Sequence, residues 1–233
     1  MAIDAVMIGA GGFGREALDV IEAHNRAGVG EAFNLLGVAD DAPSEMNLER
    51  LQRRGYRHLG GIDAYFELPQ SVVYFVGVGS PAVRARIVER CDEQDRVAGT
   101  VVHPSAAVGS DTIVEAGSII CGGVQVSTNV RLGKHVHLNP GCIIGHDAVL
   151  DDFVSVNPGA IVSGDVTVSA RTLIGAGAVV LQGLIVGAGA TVGASACVTS
   201  DVRPACTMAG VPARVMSISG SCDDTDRRGI FDR

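Results

Sequence analysis

The chain has 233 residues, room for one large domain or two modest ones, and a formal net charge of −8. That charge argues against nucleic acid and anionic membrane surfaces as partners, because both require basic patches. No apolar run approaches the ~20 residues of a membrane span. The chain enters a strand at once, without a basic leader or cleavage site, so no signal peptide is expected. Cys91, Cys121, Cys142, Cys197, Cys206 and Cys222 show no C-x-x-C spacing and sit mostly in apolar surroundings, which reads as reduced, buried thiols of a cytoplasmic protein. Trp is absent and aromatics make up only 4%, so the core must be Val, Ile, Leu and Ala.

The first element in chain order is a strand, Ala5–Ile8. It runs into Gly9-Ala10-Gly11-Gly12-Phe13-Gly14, and a helix follows over Gly14–His24. Gly9, Gly11 and Gly14 fit G-x-G-x-x-G, the spacing that brings backbone amides at a helix N-terminus up to a phosphate. A tight strand-to-helix turn explains the same glycines without a ligand. Further strands are expected at Asn34–Val38, Val72–Val78 and Val97–Val102, and further helices at Asn47–Arg54 and Pro81–Cys91. Ser80 as N-cap and Pro81 at the first helical position mark the last helix start. Roughly the first 100 residues therefore read as a small Rossmann-like α/β domain with a mostly parallel sheet. Its four strands are too few for a full dinucleotide fold, which has six, so a dehydrogenase is disfavoured and half such a fold suits a mononucleotide.

From Val102 the grammar changes. Val, Ile or Leu recurs at every sixth residue through Val198, giving 17 hexads without insertion. The fourth residue after each is nearly always small or β-branched, with Leu184 the bulky exception. An α-helix cannot use a period of six, whereas a parallel β-helix makes each hexad one short strand plus a corner. Three hexads close a coil, so residues 18 apart stack about 4.8 Å from one another along the axis.

Most corners carry Gly, Asn, Asp or Ser. Ile144-Gly145-His146-Asp147-Ala148 breaks the habit. An imidazole accepts a proton at one nitrogen while an orienting acid holds the other, so His146 and Asp147 are candidates for general-base chemistry; the plain alternative is a solvated corner. The stacking rule puts Thr128 one coil below His146 and Gly164 one coil above, leaving a slot for substrate. Asn139-Pro140-Gly141 and Asn157-Pro158-Gly159 also stack, as a structural Asn ladder or, for Asn139, as a substrate contact. His103, His135, His137 and His146 lack the spacing of a three-histidine zinc site of the γ-carbonic anhydrase kind, and no metal is expected.

The hexad array resembles the left-handed β-helix of hexapeptide acyltransferases. Over residues 3 to 216 the chain resembles bacterial nucleotide-sugar N-acetyltransferases of the bacillosamine type and, equally, sialic-acid O-acetyltransferases. The resemblance is carried by "GAGGFG", "GVADD", "VGVGSPAVR", "HPSA", "HLNPGCIIGHD", "SGDV" and "GVPAR". It implies a left-handed parallel β-helix at 102–216 after a nucleotide-sugar-binding α/β domain at 1–101, with a loose polar tail at 217–233.

It further implies direct transfer from acetyl-CoA to the amine of a nucleotide-linked sugar, with His146 as base and Asp147 orienting it. O-acetylation of sialic acid or another hydroxyl is the alternative, and a non-catalytic β-helix binding module a third. By the same resemblance Gly11, Gly12, Phe13, Asp40, Asp41 and Gly79 meet the nucleotide, and Asn139 the acceptor. Ser155, Gly164, Ala176 and Ala194 meet CoA, in a groove between neighbouring copies of a homotrimer, and Gly164 supplies an oxyanion amide. Two positions depart from the pattern: Ser155 replaces a second His of the bacillosamine enzymes, and Phe13 replaces a frequent His.

Overall fold

A computed structural model of the chain describes residues 2–28 and 30–218. The N-terminal domain runs β1 (Ile3–Ile8), α1 (Gly12–Ala27), β2 (Phe33–Ala39), α2 (Glu45–Arg53), β3 (His58–Gly60), α3 (Ile62–Phe66), β4 (Val73–Val76) and α4 (Pro81–Asp92). The sheet order is β3-β2-β1-β4, and all pairings are parallel. Central β1 buries Ala5, Val6, Met7 and Ile8 on both faces, as a parallel strand covered by helices must. Ser44 and Ser80 cap α2 and α4, their hydroxyls accepting from the Asn47 and Val83 amides.

β3 and α3 lack the apolar periodicity that would announce them. The strand expected over Val97–Val102 does not form. Ala98 makes one bridge to Tyr74, and Val101–Val102 becomes β5, the first strand of the next domain. Between them Gly99 lies against the Phe75 ring, where a Cβ would collide, so the chain changes sheets there.

Seventeen two-residue strands follow, from β5 to β21 (Cys197–Val198). Every third one stacks in parallel register: His137 pairs with Ile119 below and Ser155 above, and Ile143 with Gln125 and Ile161. This is the left-handed β-helix, a triangular prism whose three faces begin at Val101, Ala107 and Ile113. Ile120, Val126, Leu132, Leu138, Ile144 and Leu150 line its interior, and Val124, Val130, Val136, Cys142, Ala148 and Val154 fill the remaining space. Leu184 stays half-buried against that core. β22 (Cys206–Ala209) extends the first face beyond β20 (Thr191–Val192), and β23 (Arg214–Ile218) folds back on it. Ser217, expected in the loose tail, pairs with Thr207, and residues 219–233 lie outside the described ones.

The α/β domain docks on the first face and on the edge where the third face turns into it. Phe13 stacks on His137, with centroids 4.4 Å apart. Tyr74, His135 and Phe153 form a column of near-parallel rings. Arg84 of α4 is fully buried between the domains. Its guanidinium donates to the carbonyls of Val78 and Gly79 on one side, and to those of His135 and Phe153 and the Ser155 hydroxyl on the other. Among the described residues no helix is long and apolar enough to cross a membrane.

Candidate active site

His146 sits in the turn between β12 (Ile143–Ile144) and β13 (Val149–Leu150), on the edge joining the second and third faces. The coils on either side hold its backbone. The Asp165 amide donates to the His146 carbonyl, and the Asp147 amide to the Thr128 carbonyl. Asp147 takes a left-handed conformation, φ 60°, which Asp tolerates better than most residues. That turn brings its carboxylate back to the ring, with Oδ2 2.6 Å from His146 Nδ1. Asn129, one coil below, donates from Nδ2 to the other oxygen, Oδ1, at 3.0 Å.

The hydrogen bond from His146, then that from Asn129, hold the Asp147 carboxyl below its usual value. It is therefore an anion at neutral pH and can only accept. The imidazole proton belongs on Nδ1, which leaves the Nε2 lone pair free. The ring is 60% exposed. Gly164 stands over it: a Cβ at 164 would lie 2.6 Å from both Nε2 and Cε1. The 18-residue spacing thus sets the Nε2 edge of the ring against the bare backbone of Gly164.

The glycine loop forms a second candidate region. Gly14 packs so closely on the Gly9 carbonyl that any side chain there would collide, and this fixes the angle at which α1 leaves β1. Gly11 is the N-cap of α1, with no side-chain cap and no acid in the first turn. Its open N–H groups and positive dipole end suit an anion. Asp40 and Asp41 do not project freely here. Asp40 accepts from the Ala10 and Ala42 amides, and Asp41 accepts from the Ile62 amide and lies 3.5 Å from Arg90. The pair braces the loop. Gly11, Gly12 and Gly79 are partly or fully open, and Phe13 is half-buried against His137.

The structure gathers His146, Asp147 and Gly164 at one point and distributes the other expected site residues elsewhere. Ala176 and Ala194 are exposed and stacked, but on the edge between the first and second faces, across the second face from His146. Ser155 needs correction as a CoA contact. It is 1% exposed, and its hydroxyl accepts from Arg84 and donates to the Gly79 carbonyl, so it serves the domain junction. Asn139 is also buried, with its amide on the Val156 carbonyl and Asn157 Oδ1, and it forms the structural ladder.

Two residues escaped the sequence reading. Asn129 was within reach, since subtracting 18 from Asp147 identifies it. Arg84 carried no signal, because its partners across the domain junction lie 51 to 71 residues away. A surface hollow between Ile113, Arg131, Val149 and Asp151 lies on the third face and does not include His146.

Residues 4–91 match the family model described as the PglD N-terminal domain. GDP-perosamine N-acetyltransferase of Escherichia coli is 32% identical over 150 residues. That match takes in 64% of this chain and 64% of the relative, so it spans less than two thirds of the relative's length. The acetyltransferase domain of PglB from Neisseria gonorrhoeae, solved with acetyl coenzyme A, is 27% identical with a TM-score of 0.79, over 93% of this chain and 100% of that one. PerB from Caulobacter crescentus, solved with CoA and GDP-perosamine, shares the fold at 23% identity and a TM-score of 0.74, over 92% of this chain and 97% of that one. In its glycine-loop domain, its hexapeptide β-helix and these likenesses, the chain is similar to the hexapeptide-repeat sugar acetyltransferases.

Proposed function

We propose that this chain is an acetyl-CoA-dependent N-acetyltransferase acting on the amino group of a nucleotide-linked sugar. The observation that carries the reading is the oriented imidazole: Asp147 on Nδ1, and the Nε2 edge against the bare backbone of Gly164. The amine attacks the thioester carbonyl, the C–N bond forms and the C–S bond breaks. His146 Nε2 takes the amine proton and returns it to the departing CoA thiolate, so protons balance without a covalent enzyme intermediate. The Gly164 amide is suited to meet the oxyanion. The relatives support the substrates: one is named for GDP-perosamine, and two solved neighbours hold acetyl-CoA or CoA with GDP-perosamine.

The working unit in this reading is a homotrimer in the cytoplasm. Topology supports the assembly. The glycine loop and α4 dock on the first face and its edge with the third. His146 lies on the edge between the second and third faces. Among the described residues no hydrogen bond, ion pair or ring contact joins residues 2–98 to 145–148. A second copy packed on that edge brings its own surfaces to the base and makes a groove where one chain offers open surface. A nucleotide with its phosphates at the first turn of α1 then presents its sugar toward such a groove.

The test is thiol release from acetyl-CoA with UDP-, dTDP- and GDP-linked amino sugars and sialic acid as acceptors. Turnover with a nucleotide-linked amino sugar is the expected result. Turnover with sialic acid alone would move the chain to O-acetylation. CoA binding without turnover of any amino sugar would refute the acceptor class.

A further inference from the structure

We propose that Asn129 is a positioning residue for the transfer reaction, acting through Asp147; this rests on the reading of His146 as the base. The two oxygens of the Asp147 carboxylate have different partners: Oδ2 meets His146 Nδ1, and Oδ1 accepts from Asn129 Nδ2 at 3.0 Å. A carboxylate on a single bond turns freely unless both oxygens are engaged. Asn129 engages the oxygen that the imidazole does not.

The amide cannot face the other way, because an ionised carboxylate accepts only and its neighbour must present NH₂. At the other end of the amide, Oδ1 lies 3.4 Å from Thr128 Oγ1, whose one proton goes either to it or to the Ser110 carbonyl at 3.0 Å. A hydrogen-bonded chain therefore spans two coils, from Asn129 through Asp147 to His146. It ends on the one ring nitrogen that must keep its proton if Nε2 is to accept another.

The alternative is that Asn129 only occupies a corner. Asp111, Asn129, Asp147 and Asp165 stack at intervals of 18 with φ between 56° and 60°, and Gly183 continues the series at 71°. Asn suits the left-handed conformation, and this alone could place it there. That role involves the backbone, whereas the positioning role involves the amide group. Asn129→Gly separates the two: it keeps the left-handed corner, as Gly183 does, and removes the amide. Asn129→Asp keeps shape and corner but turns the donor into a second anion beside Asp147.

The experiment is steady-state thiol release from acetyl-CoA with the nucleotide-linked amino sugar that the unmodified enzyme turns over. It is run across pH on Asn129→Gly, Asn129→Asp, Asp147→Asn and the Asn129→Gly/Asp147→Asn pair, with His146→Ala as reference and melting temperatures on the same preparations. For Asn129→Gly the expected result is a kcat loss of about tenfold, the scale of losing an outer hydrogen-bond partner of a working histidine, with both KM values within about twofold. Asn129→Asp shifts the acid limb of the kcat profile upward, because a second carboxylate favours the protonated ring. Asn129→Gly adds nothing once Asp147 is Asn.

A full additional loss in the Asp147→Asn background, or unchanged kcat and pH profile in both Asn129 variants while His146→Ala is inactive, overturns the role of Asn129 alone. Turnover surviving in His146→Ala overturns the reading beneath it.

Discussion

Gly164 stands directly over His146 with no side chain between them, and a single methyl at position 164 would sit 2.6 Å from Nε2. Gly164→Ala is therefore a test of the site that leaves the fold alone. Gly164 has no left-handed backbone to preserve, and the obstructing atoms belong to an exposed ring that can swing aside. The fold accommodates the methyl by moving the imidazole, which removes the base from its acid. The expected outcome is a kcat loss of about 100-fold, within the range that general-base catalysis supplies. The melting temperature should stay within a few degrees of the parent. Full activity in Gly164→Ala would show that the space above His146 is not where the acyl group reacts.

His146→Ala removes the base itself. Turnover should fall by ~10²–10⁴-fold while CoA affinity and assembly state persist, since the side chain is exposed and packs no core. Asp147→Asn should cost less, because the ring still finds a hydrogen-bond partner but its tautomer is no longer dictated. Single-turnover rates and CoA titration on each variant check both statements. An equal or larger loss in Asp147→Asn would give Asp147 a direct part in proton transfer.

The β-helix was legible because its period is an arithmetic fact: the 17 hexads became 17 two-residue strands with 18-residue register throughout. The same arithmetic placed Gly164 over His146. It would also have placed Asn129 under Asp147, had it been applied to the acid as well as to the base. Ser155 shows where the arithmetic stops. Periodicity places it in β14 (Ser155–Val156) on the first face, but nothing periodic says that another domain covers that face. The expectation of a CoA contact fails there because Arg84, 71 residues earlier in the chain, takes the hydroxyl. The hydrogen bonds of Asp40 and Asp41 are equally invisible to periodicity. Their oxygens hold the loop and α3, and α3 has too few residues to show a periodic pattern.

Acid should destabilise the domain junction before it protonates the surface carboxylates. His135 is 4% exposed, and its imidazole is pushed down to about 4, first by burial and then by the neighbouring Arg84, against a smaller upward pull from Asp152. Burial also holds His137 well below its usual value. Both are neutral in the folded chain and take a proton readily when unfolded, near pH 6.5. Between pH ~6.5 and ~4 the unfolded state binds the proton that the folded state refuses, so stability falls as pH falls through that window, by about 3 kcal/mol for His135. Above pH ~7 neither state is charged and the effect vanishes. Denaturant midpoints at pH 7.5 and 5.0 measure the loss. His135→Phe should flatten it, because Phe153 occupies the same left-handed corner one coil above, φ 62°, and a ring there keeps the stack with Tyr74. An unchanged pH slope in that variant would assign the sensitivity to other groups.

Arg84 joins the domains by geometry that a point charge cannot reproduce. Among the described residues no carboxylate pairs with it, and its guanidinium is spread over carbonyls of two coils, the Ser155 hydroxyl and the Val78–Gly79 turn. Burial without a counter-ion pushes it down to about 9, so it stays charged at neutral pH. Arg84→Met keeps much of the volume but leaves those acceptors without donors; the expected cost is about 3 kcal/mol, the scale of breaking a buried polar network. Arg84→Lys should recover only part of it, since an ammonium on a flexible stem cannot span both coils in one fork.

The Gly79 carbonyl accepts from both Arg84 and Ser155, so loosening this junction frees the turn beside the proposed nucleotide site. KM for the nucleotide-linked acceptor should therefore rise in Arg84→Lys, while KM for acetyl-CoA and the pH dependence of kcat hold. Calorimetry should show the α/β domain melting ahead of the β-helix in Arg84→Met, where the parent gives closer transitions. A variant that melts like the parent and binds acceptor as tightly would mean that the ring contacts of Phe13, Tyr74 and Phe153 hold the domains together without the arginine.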